Sequence, residues 1–197
     1  MNLDFYFPTP VWWEDTTIDN LQILNLCKQL RLEDPDGRSV SNNGGWQSKD
    51  FKAGTYKEMN DFVDAVISMS AQCIHDYGYY ENSYKFEMLN MWFNVNSVGN
   101  SNQIHTHAGS FISGVYYVSA NSSHSNLIFY KNLNEDFIVT SAGDVERHTS
   151  ISGATCRYPA KTGRLILFPS NLPHGVLPEQ SSEERISLAF NLRMTNV

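Results

Sequence analysis

Met91-Trp92-Phe93-Asn94-Val95-Asn96 repeats with a period of two. Successive residues of a strand point to opposite faces, so Trp92, Asn94 and Asn96 share one face and Met91, Phe93 and Val95 the other. The period begins at Tyr84. Short strand-like runs follow at Phe111 to Ser119, Asn126 to Tyr130, Val145 to Ser150, Thr155 to Tyr158, Arg164 to Phe168 and Arg185 to Arg193, separated by turn residues. This spacing predicts an antiparallel sandwich or barrel of about eight strands.

Upstream the period is helical. Leu21, Leu24, Leu26, Cys27 and Leu30 give an apolar face to a helix over about 18–32, ended by Asp34-Pro35-Asp36-Gly37. Thr55 with Glu58 three residues later matches a capping box, and Met59, Phe62, Val63, Val66, Met69, Cys73 and Ile74 keep helical spacing to about residue 77. The helices are expected to cover one sheet. The expectation is one domain over 1–197, with a helical support region at 1–83 and a β core at 84–197.

Composition narrows the class. The 197 residues carry 14 Lys+Arg and 21 Asp+Glu, a formal charge of −7, with no basic cluster of the kind a nucleic-acid backbone requires. Nucleic acid is therefore disfavoured as a partner. No apolar run approaches the ~18 residues of a membrane span, and the start lacks the features of a signal peptide, so a cytoplasmic protein is expected. Cys27, Cys73 and Cys156 are odd in number and widely spaced, which fits reduced thiols. Aromatics at 13% against charged residues at 18% suit packed β faces.

Chemistry concentrates in two contexts, Ile104-His105-Thr106-His107 and Leu172-Pro173-His174-Gly175. On a strand, positions i and i+2 lie on one face about 6.5 to 7 Å apart, so His105 and His107 can converge on one metal ion. The alternative is a surface or hydrogen-bonded pair. A third ligand must come from elsewhere, and His174 follows the end of a strand that a barrel could bring opposite the pair. Eleven residues later, Arg185-Ile186-Ser187 places an always-charged guanidinium and a hydroxyl on one strand face within an apolar run. Such an arginine is costly unless it meets an anion, and the fork with its neighbouring hydroxyl suits a carboxylate.

These motifs, together with Asn94-Val95-Asn96, Ser113-Gly114-Val115-Tyr116-Tyr117, Phe168-Pro169-Ser170 and Arg185 to Asn191, resemble the iron(II)- and 2-oxoglutarate-dependent oxygenases. The likeness extends to a subgroup found in bacteria and phages, including Phe7-Pro8-Thr9-Pro10 near the start. It implies a double-stranded β-helix, a jelly-roll or cupin-like barrel with helices packed on one sheet. It also implies Fe(II), 2-oxoglutarate and O2, with 2-oxoglutarate decarboxylated to succinate and CO2 while a substrate is oxidised, most simply by hydroxylation. The resemblance assigns the metal to His105, His107 and His174 and the far carboxylate of 2-oxoglutarate to Arg185, helped by Ser187.

The chain departs from that pattern at one ligand. The family's usual carboxylate stands where His107 falls, giving a three-histidine site. A second registration takes His107-Ala108-Gly109 as the motif and leaves His105 idle. Asn94 is either a partner of 2-oxoglutarate or a core amide, and Tyr117 either a co-substrate contact or a packing residue. Trp92, Trp12 and Trp13 read as packing, and His75, His124 and His148 are assigned to no metal. Two other readings stay open: a three-histidine iron dioxygenase without an oxoacid, and a non-catalytic jelly-roll metal-binding protein. A small molecule or a protein or peptide residue is the expected substrate. The segments Arg38 to Lys49, hinged at Gly44-Gly45, and Leu133 to Asp144 are candidate lids, and the sequence leaves the oligomeric state open.

Overall fold

The computed structural model describes residues 2, 7–131, 149 and 153–197. Its elements run β1 (Trp12–Asp15), α1 (Asn20–Glu33), β2 (Asn42–Asn43), β3 (Trp46–Gln47), a 3-10 turn (Lys57–Met59), α2 (Asn60–Asp76), β4 (Tyr84–Asn96) and β5 (Ser101–His105). They continue with β6 (Ile112–Ser119), β7 (Leu127–Tyr130), β8 (Thr155–Tyr158), β9 (Arg164–Pro169), β10 (His174–Val176) and β11 (Arg185–Asn196). The strands form two antiparallel sheets, ordered β1-β9-β6-β11-β4-β3 and β2-β5-β10-β7-β8. The arrangement is a jelly-roll of two facing sheets, not a closed barrel. The expected strand at Val145 to Ser150, the candidate lid at Leu133 to Asp144 and His148 lie outside the described residues, except for Thr149.

The period-two stretch does what its pattern requires. Met91, Phe93 and Val95 are buried with the helices, whereas Trp92, Asn94 and Asn96 turn toward the opposite sheet. Strand β11 repeats the division: Ile186, Leu188, Phe190 and Leu192 join the core beneath α1 and α2, and Arg185, Ser187 and Ala189 face the interior between the sheets. A second, smaller core of Tyr117, Leu127, Phe129, Ile166 and Phe168 fills the rest of that interior. The helices thus cover the outer face of the six-stranded sheet, as expected.

Local details differ from the sequence expectations. Helix α1 is capped by Asp19, whose carboxylate accepts the Leu21 N–H at 2.9 Å, and it buries Ile23, Leu26 and Cys27. Leu21 is 63% exposed and lies off that face. The capping box at Thr55 does not form: the Thr55 hydroxyl accepts from the Lys52 N–H, and α2 starts only after the 3-10 turn, without a side-chain cap. Strands β1, β2, β3, β5 and β10, with two to five residues each, carry no legible run of alternation. No helix among the described residues is long and apolar enough to cross a membrane.

Candidate metal centre and anion pocket

Strands β5 and β10 pair so that His174 stands directly opposite His105. Opposite residues share a face, and the two imidazole centroids are 4.4 Å apart. His107, just past β5, is fixed by its N–H donating to the Ser170 carbonyl at 2.8 Å, which turns its ring to within 5.0 Å of His174. One ligand atom from each histidine lies within 4.8 Å of the others. Gly175 is what allows this pairing. A Cβ there would stand 2.9 Å from the Asn102 carbonyl oxygen, so a side chain would push β10 off β5.

The donor set is prepared for a metal. The Nδ1–H of His105 donates to the Gln103 carbonyl at 2.7 Å and that of His174 to the Leu172 carbonyl at 2.9 Å, which leaves the Nε2 lone pairs free. Nε2 of His107 and Nε2 of His174 are 3.2 Å apart. Two nitrogens each about 2.1 Å from one ion and at right angles would be separated by about 3 Å. Burial pushes the His107 imidazole down to about 4, with the neighbouring His105 adding to it. Burial, then His105, pushes His174 down to about 3, and burial also lowers His105. Neutral imidazoles are the ligand form. Among the described residues no carboxylate joins the group.

Arg185, Ser187, Asn94 and Tyr117 line the same cavity as the three histidines. Asn94, Ser187 and Tyr117 form one row across β4, β11 and β6, because Ser187 pairs with Asn94 on one side and Tyr117 on the other. Arg185 lies two residues along the same face. Nε of Arg185, Oδ1 of Asn94 and Oη of Tyr117 are buried without a hydrogen-bond partner. Buried polar atoms normally have one; Nε of Arg185 is turned to a carboxylate outside the cavity lining and Oδ1 of Asn94 is an acceptor, so the Tyr117 hydroxyl is the unpartnered donor that a ligand oxygen would satisfy. Imidazole nitrogens beside a guanidinium and unpaired polar atoms fit a metal ion with an anionic, oxygen-rich chelator.

Several residues stand differently from the sequence reading. Trp92 lines the cavity with its ring 5.6 Å from that of His107, so it is a wall of the site and not only packing. Phe168 packs edge-on to His174 at 4.6 Å. Gln47, opposite Asn94 in β3, is also buried with Oε1 unpartnered but stands outside the cavity lining. Arg185 does meet a protein anion: its Nε lies 3.4 Å from Oε2 of Glu179, which sequence reasoning missed because that residue sits in a loop without periodicity. The Arg38 to Lys49 segment is not a plain loop but carries β2 and β3, and it brings Ser41 to the cavity. His75 pairs with Glu81, His124 is held by Asn121 and Glu183, and both stand apart from the histidine group. Trp12 bonds Asp76, and Trp13 is 55% exposed beneath Arg164.

A family profile described as "Putative 2OG-Fe(II) oxygenase" matches residues 90–191, more than half of the chain, from Asn90 in β4 to Asn191 in β11, and so takes in every cavity-lining residue except Ser41. No curated protein matches the chain in sequence. Among solved structures, a prolyl-4-hydroxylase of Pseudomonas putida is similar with a TM-score of 0.62 at 15% identity, covering 94% of this chain and 92% of that one. A Trichoplax adhaerens prolyl hydroxylase, solved with a hypoxia inducible factor peptide fragment, gives 0.61 at 17% identity over 92% and 83%. HygX of Streptomyces hygroscopicus, solved with nickel and 2-oxoglutarate, gives 0.57 at 10% identity over 94% and 83%. At these identities the structural likeness concerns the fold.

Proposed function

Because the chain belongs to the 2OG-Fe(II) oxygenase family and is accordingly a 2-oxoglutarate-dependent dioxygenase using Fe(II) and O2, we propose that His105, His107 and His174 hold the iron and that Arg185 receives the distal carboxylate of 2-oxoglutarate. The observation that supports this assignment is the convergence of three imidazoles and a buried guanidinium on one cavity. Bound Fe(II) with 2-oxoglutarate supplies the oxidising chemistry, in which O2 is consumed, 2-oxoglutarate leaves as succinate and CO2, and the substrate is oxidised.

The chain's own residues bind, orient and exclude water. Arg185 offers a charge-assisted fork, with the Ser187 hydroxyl on the same face as a further donor. The Asn94 amide, through Nδ2, and the Tyr117 hydroxyl offer donors to the oxygens of the oxoacid, and this fixes its rotation before O2 arrives. Trp92, Phe168 and Phe129 give the metal an apolar wall, which keeps bulk water from the reacting centre. The reading is a hydroxylase acting on a small molecule or on a protein or peptide residue. Protein purified without oxygen and loaded with iron should release succinate from 2-oxoglutarate when O2 is admitted. Absence of succinate from loaded, folded protein across a panel of amino acids and peptides would overturn the assignment.

A further inference from the structure

Glu179 lies in the loop between β10 and β11, six residues before Arg185, and its side chain has no solvent exposure. Its Oε1 accepts the backbone N–H groups of Ser125 at 3.0 Å, Gln180 at 3.0 Å and Ser181 at 3.1 Å. Its Oε2 shares the Ser125 N–H at 3.1 Å and faces Nε of Arg185 at 3.4 Å. That last contact lacks hydrogen-bond geometry, and Nε keeps no hydrogen-bond partner. What Glu179 gives Arg185 is therefore negative charge at short range. A guanidinium 2% exposed would otherwise stand uncompensated whenever the cavity holds no anion.

The cavity thus has two claimants for one positive charge. Glu179 is outside the cavity lining and stands against Nε of the guanidinium, whereas Arg185 itself lines the cavity. We propose that Glu179 is a positioning residue that acts through Arg185: it is the resident counter-ion of the anion pocket and, by already neutralising Arg185, holds down the affinity for the distal carboxylate of 2-oxoglutarate. The proposal rests on the assignment of that carboxylate to Arg185. Binding the co-substrate adds a second negative charge beside a pair that is already neutral, and the repulsion from Glu179 acts in a buried place where it is weakly screened. A 2-oxo acid with no second carboxylate puts no charge beside Arg185 and feels Glu179 only from the greater distance of the metal end, so more weakly.

Glu179→Gln separates charge from architecture. All three backbone N–H groups reach Oε1, so the amide oxygen can keep them, while the NH2 in place of Oε2 gives up the shared Ser125 contact and the charge facing Arg185. Titration calorimetry under argon would measure 2-oxoglutarate and pyruvate binding to iron-loaded wild type and E179Q, with thermal unfolding of the metal-free proteins alongside. E179Q is expected to unfold at lower temperature without ligand, to bind 2-oxoglutarate about tenfold more tightly and to change pyruvate affinity by less. A residue that merely braces the loop would instead weaken binding when replaced. Unchanged or weaker 2-oxoglutarate binding by folded E179Q, or equal tightening toward pyruvate, overturns the proposal. If E179Q does not fold, E179Q/R185M should restore folding by removing the lone buried cation; failure to restore it overturns the counter-ion role. Wild type that binds no 2-oxoglutarate overturns the parent assignment, whereas wild type that binds it beside an E179Q that does not tighten overturns this proposal alone.

Discussion

His105 carries the choice between two registrations of the histidine motif. The pairing of His174 with His105, and the grouping of all three ligand atoms within 4.8 Å, favour the three-histidine set over one that leaves His105 idle. His105→Ala is therefore expected to lose iron as fully as His107→Ala, measured as metal retained after desalting; full retention in H105A alone would restore the other registration. Two of the three cysteines are inert for a legible reason. Burial pushes the thiols of Cys27 and Cys73 up to about 12, while Cys156 is exposed on β8. Because the thiolate is the nucleophile, a maleimide or iodoacetamide at pH 8 should label Cys156 alone in the folded protein and all three cysteines after denaturation, read by intact mass. That His105, His107, His174 and Arg185 meet at one cavity was legible because each is a costly residue type set in an apolar or alternating context. Trp92 was not separable from packing, since an aromatic on a strand looks alike in a core and in a cavity wall. Glu179 gave no signal because its partner is fixed by the fold and not by spacing.

At the level of elements, the site depends on a three-residue strand held between two others. β10 lies against β5 and β7, and Gly175 is the residue that lets it approach β5 closely. Gly175→Ala should displace β10 and move His174 from His105. The expected outcome is a weakening of metal affinity by about tenfold or more, with smaller loss of secondary structure by circular dichroism. Long strands were legible and short ones were not. β4 and β11 alternate over many residues with one face under the helices and one toward the cavity, so their patterns repeat enough to be read. β2, β3 and β10 exist because neighbouring strands offer them hydrogen bonds, a tertiary cause that leaves no period in two or three residues. The capping box failed for a related reason: Thr55 spends its hydroxyl on the preceding turn, so the motif is present without its geometry.

The whole molecule divides its labour between two cores. The larger one, beneath α1 and α2, gives the six-stranded sheet its rigidity, and the interior between the sheets is left for the site. Phe190 is fully buried in the larger core, rests on Phe62 and occupies the space where a Cβ on Gly114 would stand. Phe190→Ala is expected to cost about 3 to 5 kcal/mol in chemical denaturation. Aromatic-rich, charge-poor composition is accounted for by these two packed layers and an apolar wall around the histidines. The central claim is that one cavity binds iron through the histidines and 2-oxoglutarate through Arg185. Calorimetric titration of 2-oxoglutarate under argon into wild type, His174→Ala and Arg185→Met, each supplied with Fe(II), tests it most directly. The account expects binding by wild type only in the presence of metal, no metal retention in H174A, and metal retention with 2-oxoglutarate affinity lowered about 10- to 100-fold in R185M. Wild-type affinity for 2-oxoglutarate in folded R185M, or iron held as tightly in H174A as in wild type, would contradict it.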